Sequence, residues 1–373
     1  MTGLRTSPLE WIRGYLRRDI GTVDGTYTAY YSVKDLMANG YILEDDGQAF
    51  LDAGGLKDFC WTLTWAEDYE TPDEYLVQTI QQTQGFAIFV HGWTGNRTIW
   101  EDLPGMTVRA NRRLVSLSVD HNGFGESEFT DVTPELESCN PPAAMRTIQR
   151  WIELMRLRRQ PGEIGHRVIN LIGHSMGGAT LFYINPLEWR YGEVTCYALA
   201  PALLLEDEIF RRFYTTLGIG IGILQRVGAL KFVERFIKPT MINNLCQGAS
   251  DYVKDEHGIQ YNDTPRGVTG ATFLAMGQID NFEIARKWSL FRVMLGHRDR
   301  LVGLTGMMDL LSKLEFPAAN TRVVAGSHYM FSIGNEDAQN AFQHAQNREL
   351  VVEDILLLHE NAVQMQRSGQ RIG

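Results

Sequence analysis

Gly173-His174-Ser175-Met176-Gly177 is the stretch of this sequence best fitted to do chemistry. The Gly-x-Ser-x-Gly spacing suits a sharp turn from strand to helix. In such a turn the serine takes a strained main-chain conformation, and glycines two residues to either side let the neighbouring chain pass. The hydroxyl then stands clear of the sheet beside a helix N-terminus. A serine hydroxyl is a weak nucleophile until a base takes its proton, and the base needs an acid to orient it. Supplied with both, Ser175 could attack an acyl carbonyl.

The partners are sought by their place after strands. The apolar run 290–295 leads directly into Gly296-His297-Arg298-Asp299, which puts Asp299 at the carboxyl end of a strand. The run 321–324 leads into Ala325-Gly326-Ser327-His328, so His328 is the expected base and Asp299 the expected acid. Asp207, which follows the strand 194–199, is the rival acid. His174 should point away from the hydroxyl. His297 and Asp299 could pass for a pair of metal ligands, but no third ligand lies near them in sequence; no metal and no cofactor are expected. His166, His257, His344 and His359 sit in no motif, and surface or satisfied core roles suffice for them.

Negative charge on an attacked carbonyl oxygen needs main-chain donors. One should be the N–H of Met176. The other should be the N–H of Trp93 in His91-Gly92-Trp93-Thr94-Gly95, where Gly92 lets the loop fold close to Ser175. The Trp93 indole would wall the acyl pocket and so bind substrate.

These residues need a sheet to hold them. Strands are expected at 59–66 and 75–80 as an antiparallel pair, then at 86–90, 114–119, 168–174, 194–199, 290–295 and 321–324. The wholly apolar runs 86–90 and 114–119 read as central strands. Helices are expected at 4–20, at 143–159 and from 336 to 366. Strands alternating with helices imply an α/β fold with a mostly parallel, doubly wound sheet. Residues 22–55 are polar and rich in glycine and tyrosine, and carry no assignable pattern. The alternation breaks between 202 and 282. That stretch is too long for an unstructured loop, so a helical insertion is expected after the sixth strand, lying over the carboxyl ends of the sheet as a lid. It holds glycines at 218, 220 and 222 and a basic amphipathic run at 226–238, whose simplest role is a solvated helix face.

Composition narrows the class. The chain of 373 residues has a formal charge of −10, which argues against a nucleic-acid binder. Its four cysteines, Cys60, Cys139, Cys196 and Cys246, are scattered and read as free thiols. Residues 1–15 are interrupted by charge and make no signal peptide, and no apolar run is long enough to span a membrane. A cytoplasmic protein without stable membrane insertion is expected.

Taken together, His91-Gly92-Trp93, Ser118-Val119-Asp120-His121-Asn122-Gly123-Phe124-Gly125-Glu126-Ser127, the serine pentapeptide, Asp299 and His328 resemble, in chain order, the α/β-hydrolase superfamily. The nearer resemblance is to its monoacylglycerol lipase-like and carboxylesterase-like serine hydrolases, over about residues 60–365. It implies an eight-stranded, mostly parallel sheet with helices on both faces and the helical lid after strand 6. The expected division is an N-terminal extension at 1–58, a core at 59–201 and 286–373, and a cap at 202–285. The family's usual Asp-x-Arg-Gly-x-Gly-x-Ser has Asn122 here in place of arginine, so that loop should be supported differently. The implied activity is hydrolysis of an apolar or aromatic ester through an acyl-enzyme on Ser175. Two alternatives share the fold: hydrolysis of a carbon–carbon bond, and a receptor-like member that binds ligand with negligible turnover. Oligomeric state is not legible.

Overall fold

The computed structural model describes residues 21–23, 25–66, 83–158, 166–185, 188–190, 192–203, 216, 219–220, 223, 238–239, 242–276, 290–333 and 338–368. Nine strands make one sheet among them: β1 (Gly21–Val23), β2 (Thr26–Ser32), β3 (Cys60–Ala66), β4 (Gly85–Val90), β5 (Leu114–Val119), β6 (Val168–His174), β7 (Val194–Leu199), β8 (Phe291–Gly296) and β9 (Thr321–Val324). Their order is β1-β2-β3-β5-β4-β6-β7-β8-β9. From β5 to β9 all neighbours are parallel; β1, β2 and β3 pair antiparallel, as does β3 with β5.

Alternation along the strands builds two cores. Phe86, Ile88 and Val90 of β4 face one cluster, and Ala87 and Phe89 face the other. The labelled helices are α1 (Val33–Ala38), α2 (Glu44–Gly54), α3 (Leu103–Ala110), α4 (Pro141–Leu154), α5 (Met176–Leu181), α6 (Asp251–Asp263), α7 (Arg266–Met276), α8 (Leu304–Lys313) and α9 (Ala338–Ser368). Helix α4 begins where the Asn140 side chain accepts from the Ala143 N–H and proline occupies the first turn. It closes the first core by setting Trp151 against Phe59 and Trp61. Helix α9 covers the second core with Val351, Ile355 and Leu358.

The α/β fold with its mostly parallel sheet is the one expected; among the described residues the sheet holds seven of the eight anticipated strands and two that were not anticipated, β1 and β2. On the side of β3 away from β5 the antiparallel neighbour is β2, paired from Thr26↔Ala66 to Ser32↔Cys60. Its sequence, Thr-Tyr-Thr-Ala-Tyr-Tyr-Ser, hides a period of two: Tyr27, Ala29 and Tyr31 are buried, and Tyr27 and Tyr31 stack on Trp65 and Trp61. Tyrosine and threonine score as polar, so the pattern reads as loop. The strand expected at 75–80 and the helix at 4–20 lie outside the described residues, as does most of the basic run 226–238.

Chain order sends β4 to β5 on one side and on to β6 on the other. The carboxyl ends of β4 and β6 therefore flank a topological switch point, where a parallel sheet opens a crevice. The turn after β4 and the turn holding Ser175 both emerge there. All four cysteines are buried and free. Among the described residues no helix is long and apolar enough to cross a membrane.

Candidate active site

Ser175 stands between β6 and α5 with φ 53° and ψ −116°. A non-glycine residue at positive φ costs about 1–3 kcal/mol and persists only where its surroundings hold it. Here they do. The Ser175 N–H donates to the Leu199 carbonyl at 3.0 Å, and its carbonyl accepts from Ala179 and Ala202, each at 2.9 Å. The flanking glycines are steric necessities. A Cβ on Gly177 would lie 2.1 Å from the Val90 oxygen, and one on Gly173 would lie 2.4 Å from the Gly177 oxygen.

The structure brings Asp299 and His328 together. His328 Nδ1 and Asp299 Oδ2 are 2.9 Å apart and buried. The turns after β8 and β9 are laced to each other, with His297 N–H donating to the Val324 carbonyl and Arg298 N–H to that of Gly326. Asp299 Oδ1 accepts from the N–H groups of Leu301 and Val302, at 2.9 and 3.0 Å. Burial pushes the Asp299 carboxyl up, but the neighbouring imidazole and these three hydrogen bonds outweigh it, and its pKa lies below the ordinary carboxylate value. Asp207, the rival acid, lies outside the described residues. His297 turns its Nδ1 to accept from the Gly326 N–H, and among the described residues no group of His, Cys, Asp and Glu is disposed to hold a metal ion.

His174 links this pair to the serine turn. Its Nε2 donates to the His328 carbonyl at 3.1 Å, and the two rings are 4.7 Å apart. Burial holds His174 neutral, with its pKa well below the ordinary histidine value. The residue before Ser175 thus carries the main chain of His328.

The loop after β4 closes on the serine from the other side. A Cβ on Gly92 would sit 3.0 Å from the Ser175 Cβ. Among the described residues, no main-chain carbonyl engages the N–H of Trp93 or that of Met176. The loop's base is a pair of neutral imidazoles, each pushed down to about 3 by burial. His91 Nδ1 donates to the Gly92 carbonyl at 2.7 Å, and its Nε2 accepts from the His121 N–H at 3.1 Å. His121 Nε2 returns a bond to the His91 carbonyl at 2.8 Å.

The Asn122 substitution is accommodated as follows. Asp120, fully buried, accepts from the main-chain N–H groups of Arg97 and Glu126 and from the Arg97 guanidinium. Arg97, on the turn after β4, therefore supplies the cation to this loop. Asn122, at φ 58°, donates to the Cys139 carbonyl at 2.8 Å and contacts the Met176 sulfur at 3.5 Å. Sequence reasoning missed Arg97, although a buried aspartate demands a cation or several donors.

It also missed the side chains by which the described part of the segment 202–285 meets the rest of the fold. Trp93 Nε1 donates to Thr272 Oγ1 of α7 at 3.0 Å, and its ring packs on Phe273. His257 of α6 bonds Thr94 Oγ1 at 3.0 Å and the Tyr329 hydroxyl at 2.5 Å. The Glu101 carboxylate accepts from Ser250, from the Ser332 hydroxyl and from the Ile333 N–H. Partners at least 72 residues apart in sequence leave no local signal.

Residues 87–340 match the alpha/beta hydrolase family, and the chain belongs to it. Among solved structures it is similar to the esterase EaEST from Exiguobacterium antarcticum, at 13% identity over 90% of this chain and 98% of that one, with a TM-score of 0.54. A thermophilic esterase from Thermogutta terrifontis aligns at 15% identity over 81% of this chain and 95% of that one, TM-score 0.52. A bromoperoxidase from Bacillus anthracis aligns at 16% over 81% and 96%, also with TM-score 0.52. At these identities the likeness is one of fold. No curated protein matches the chain in sequence.

Proposed function

We propose that this hydrolase cleaves carboxylic esters with an apolar or aromatic acyl group, through an acyl-enzyme on Ser175. The observation that carries the reading is the buried Asp299–His328 pair, whose histidine main chain is held by the residue preceding Ser175. In this reading His328 takes the Ser175 proton as the hydroxyl oxygen attacks the acyl carbonyl. The N–H groups of Trp93 and Met176 hold the oxyanion. His328 then protonates the departing alcohol, and afterwards draws a proton from the water that attacks the acyl-enzyme. Asp299 fixes the imidazole with its Nδ1 protonated, leaving Nε2 to act as base. No cofactor enters these steps.

The preference for apolar acyl groups rests on the Trp93 ring, which packs on Phe273 and belongs to the loop whose Gly92 lies against Ser175, and on the apolar composition of 202–285, which would act as a cap. The substrate is a small molecule reached from the crevice at the switch point. The test is turnover of p-nitrophenyl esters of graded chain length by the wild type and by Ser175→Ala. The expected result is hydrolysis by the wild type that the variant loses while remaining folded. Equal rates in the two proteins would remove Ser175 from the mechanism, and a fluorophosphonate-labelled wild type that never exceeds one turnover would favour a binding role.

A further inference from the structure

Three polar contacts between the segment 202–285 and the core fall on one short turn, 91–96, and resting on the reading above, that turn carries the oxyanion donor. Two consecutive residues of it are held by two different helices of the insertion. Trp93 is bonded through its indole N–H to Thr272, whose own hydroxyl is satisfied by the Val268 and Thr269 carbonyls of α7. Thr94, at φ 54°, is bonded to His257 of α6. His257 does not stop there. Its other ring nitrogen meets the hydroxyl of Tyr329, the residue after His328, and both side chains are buried. The Tyr329 ring lies 4.3 Å from that of His174, and its main-chain N–H donates to the Gln247 carbonyl, in the segment leading to α6.

One imidazole thus bridges the turn bearing the Trp93 N–H and the turn bearing the base, and it belongs to neither. A neutral ring donates at one nitrogen and accepts at the other, so it can satisfy two hydroxyls at once where no water competes. A core leucine at 257 would fill the space and hold neither turn.

The geometry points to His257 as a positioning residue for ester hydrolysis: docked between Thr94 and Tyr329, it sets the Trp93 N–H and His328 in register across Ser175. The insertion then completes the catalytic geometry in addition to covering it. His257 touches neither substrate nor reacting atoms; its effect passes through two hydroxyls.

The test compares wild type, His257→Ala, His257→Gln and Tyr329→Phe on a short p-nitrophenyl ester, with thermal melts of each and Ser175→Ala as control. A misplacement of about 1 Å at reacting groups costs roughly 100-fold in rate. His257→Ala is therefore expected to lose about that factor in kcat, with KM within about threefold. His257→Gln, which keeps a donor and an acceptor, should recover most of it. Tyr329→Phe, which deletes only the bridged oxygen, should lose roughly tenfold and add little to His257→Ala in the double variant. Second-order labelling of Ser175 by a fluorophosphonate should fall in the same order, since it needs the same donors and base. A folded His257→Ala with kcat within twofold of wild type, or one that raises KM alone, overturns the proposal. Should both His257 variants fail to fold, an unchanged kcat in Tyr329→Phe overturns it. The ester reading fails separately, if the wild type labels but turns over no ester; the labelling rates then still decide the role of His257. A wild type that neither labels nor turns over removes both.

Discussion

Replacing Asp299 by asparagine removes one charge and no volume, and the hydrogen bonds around it determine the cost. Oδ1 receives two main-chain N–H donors, from Leu301 and Val302, and Oδ2 receives the His328 Nδ1 proton. An asparagine must choose which site gets its NH2. With the amide oxygen toward Leu301 and Val302, the NH2 faces His328 and forces Nδ1 to accept. The proton then moves to Nε2, where the ring can no longer take one from Ser175. The opposite flip restores the useful tautomer but turns the NH2 against two buried N–H groups. At about 1–3 kcal/mol for each buried donor left unmade, that flip is disfavoured by roughly 2–6 kcal/mol, so between about 30- and 10⁴-fold fewer molecules carry a competent base. Loss of the carboxylate facing the imidazolium in the transition state adds to this, and a fall in kcat of about 10⁴ is expected. The assay is saturation kinetics on a p-nitrophenyl ester at neutral pH, with a thermal melt to show that the variant is folded. A folded Asp299→Asn within tenfold of wild type would refute the reasoning and return Asp207 to consideration as the acid.

The buried histidines make stability sensitive to acid. His91, His121 and His257 are each pushed down to about 3 by burial. Unfolded, they titrate near 6.5, so between those values the unfolded chain binds protons that the native one excludes. Their contribution is whole above about pH 6.5 and is lost toward acid at about 1.4 kcal/mol per pH unit for each ring, about 4 for the three. Melting temperature should drop steeply from pH 7 to pH 5; a flat profile would contradict it. Gly177→Ala drives a Cβ to 2.1 Å from the Val90 oxygen and 2.4 Å from that of His91, both main chain, and should yield insoluble protein or protein that no longer labels at Ser175. Gly258→Ala, within α6, meets nothing within 4 Å and should raise stability by about 0.5–1 kcal/mol, read as a higher melting temperature.

The serine turn, the strands 86–90 and 114–119 and the turns carrying Asp299 and His328 were legible because their signals are local: apolar runs of strand length, each ending in small or polar residues. Strand β2 was not, since its buried face is two tyrosines and an alanine and only the pairing with Trp61 and Trp65 makes it a strand. Asp120 was legible as part of a motif, but its cation was not: Arg97 lies 23 residues upstream, on a turn whose path depends on the fold. His257 looked like an ordinary core histidine. Burial is what it shares with that description, and its two hydroxyl partners, 163 and 72 residues away in sequence, are what separate it.

The bond from the Ala202 N–H to the Ser175 carbonyl has a practical bearing on any attempt to exchange residues 204–285 for another segment. The departing stem and the serine's strained torsion share that contact, so a chimera spliced at Leu199 would discard one of the clamps on the turn it means to serve. A junction placed after Leu203 leaves the clamp intact, and with it a scaffold on which replacement segments can be compared on equal terms.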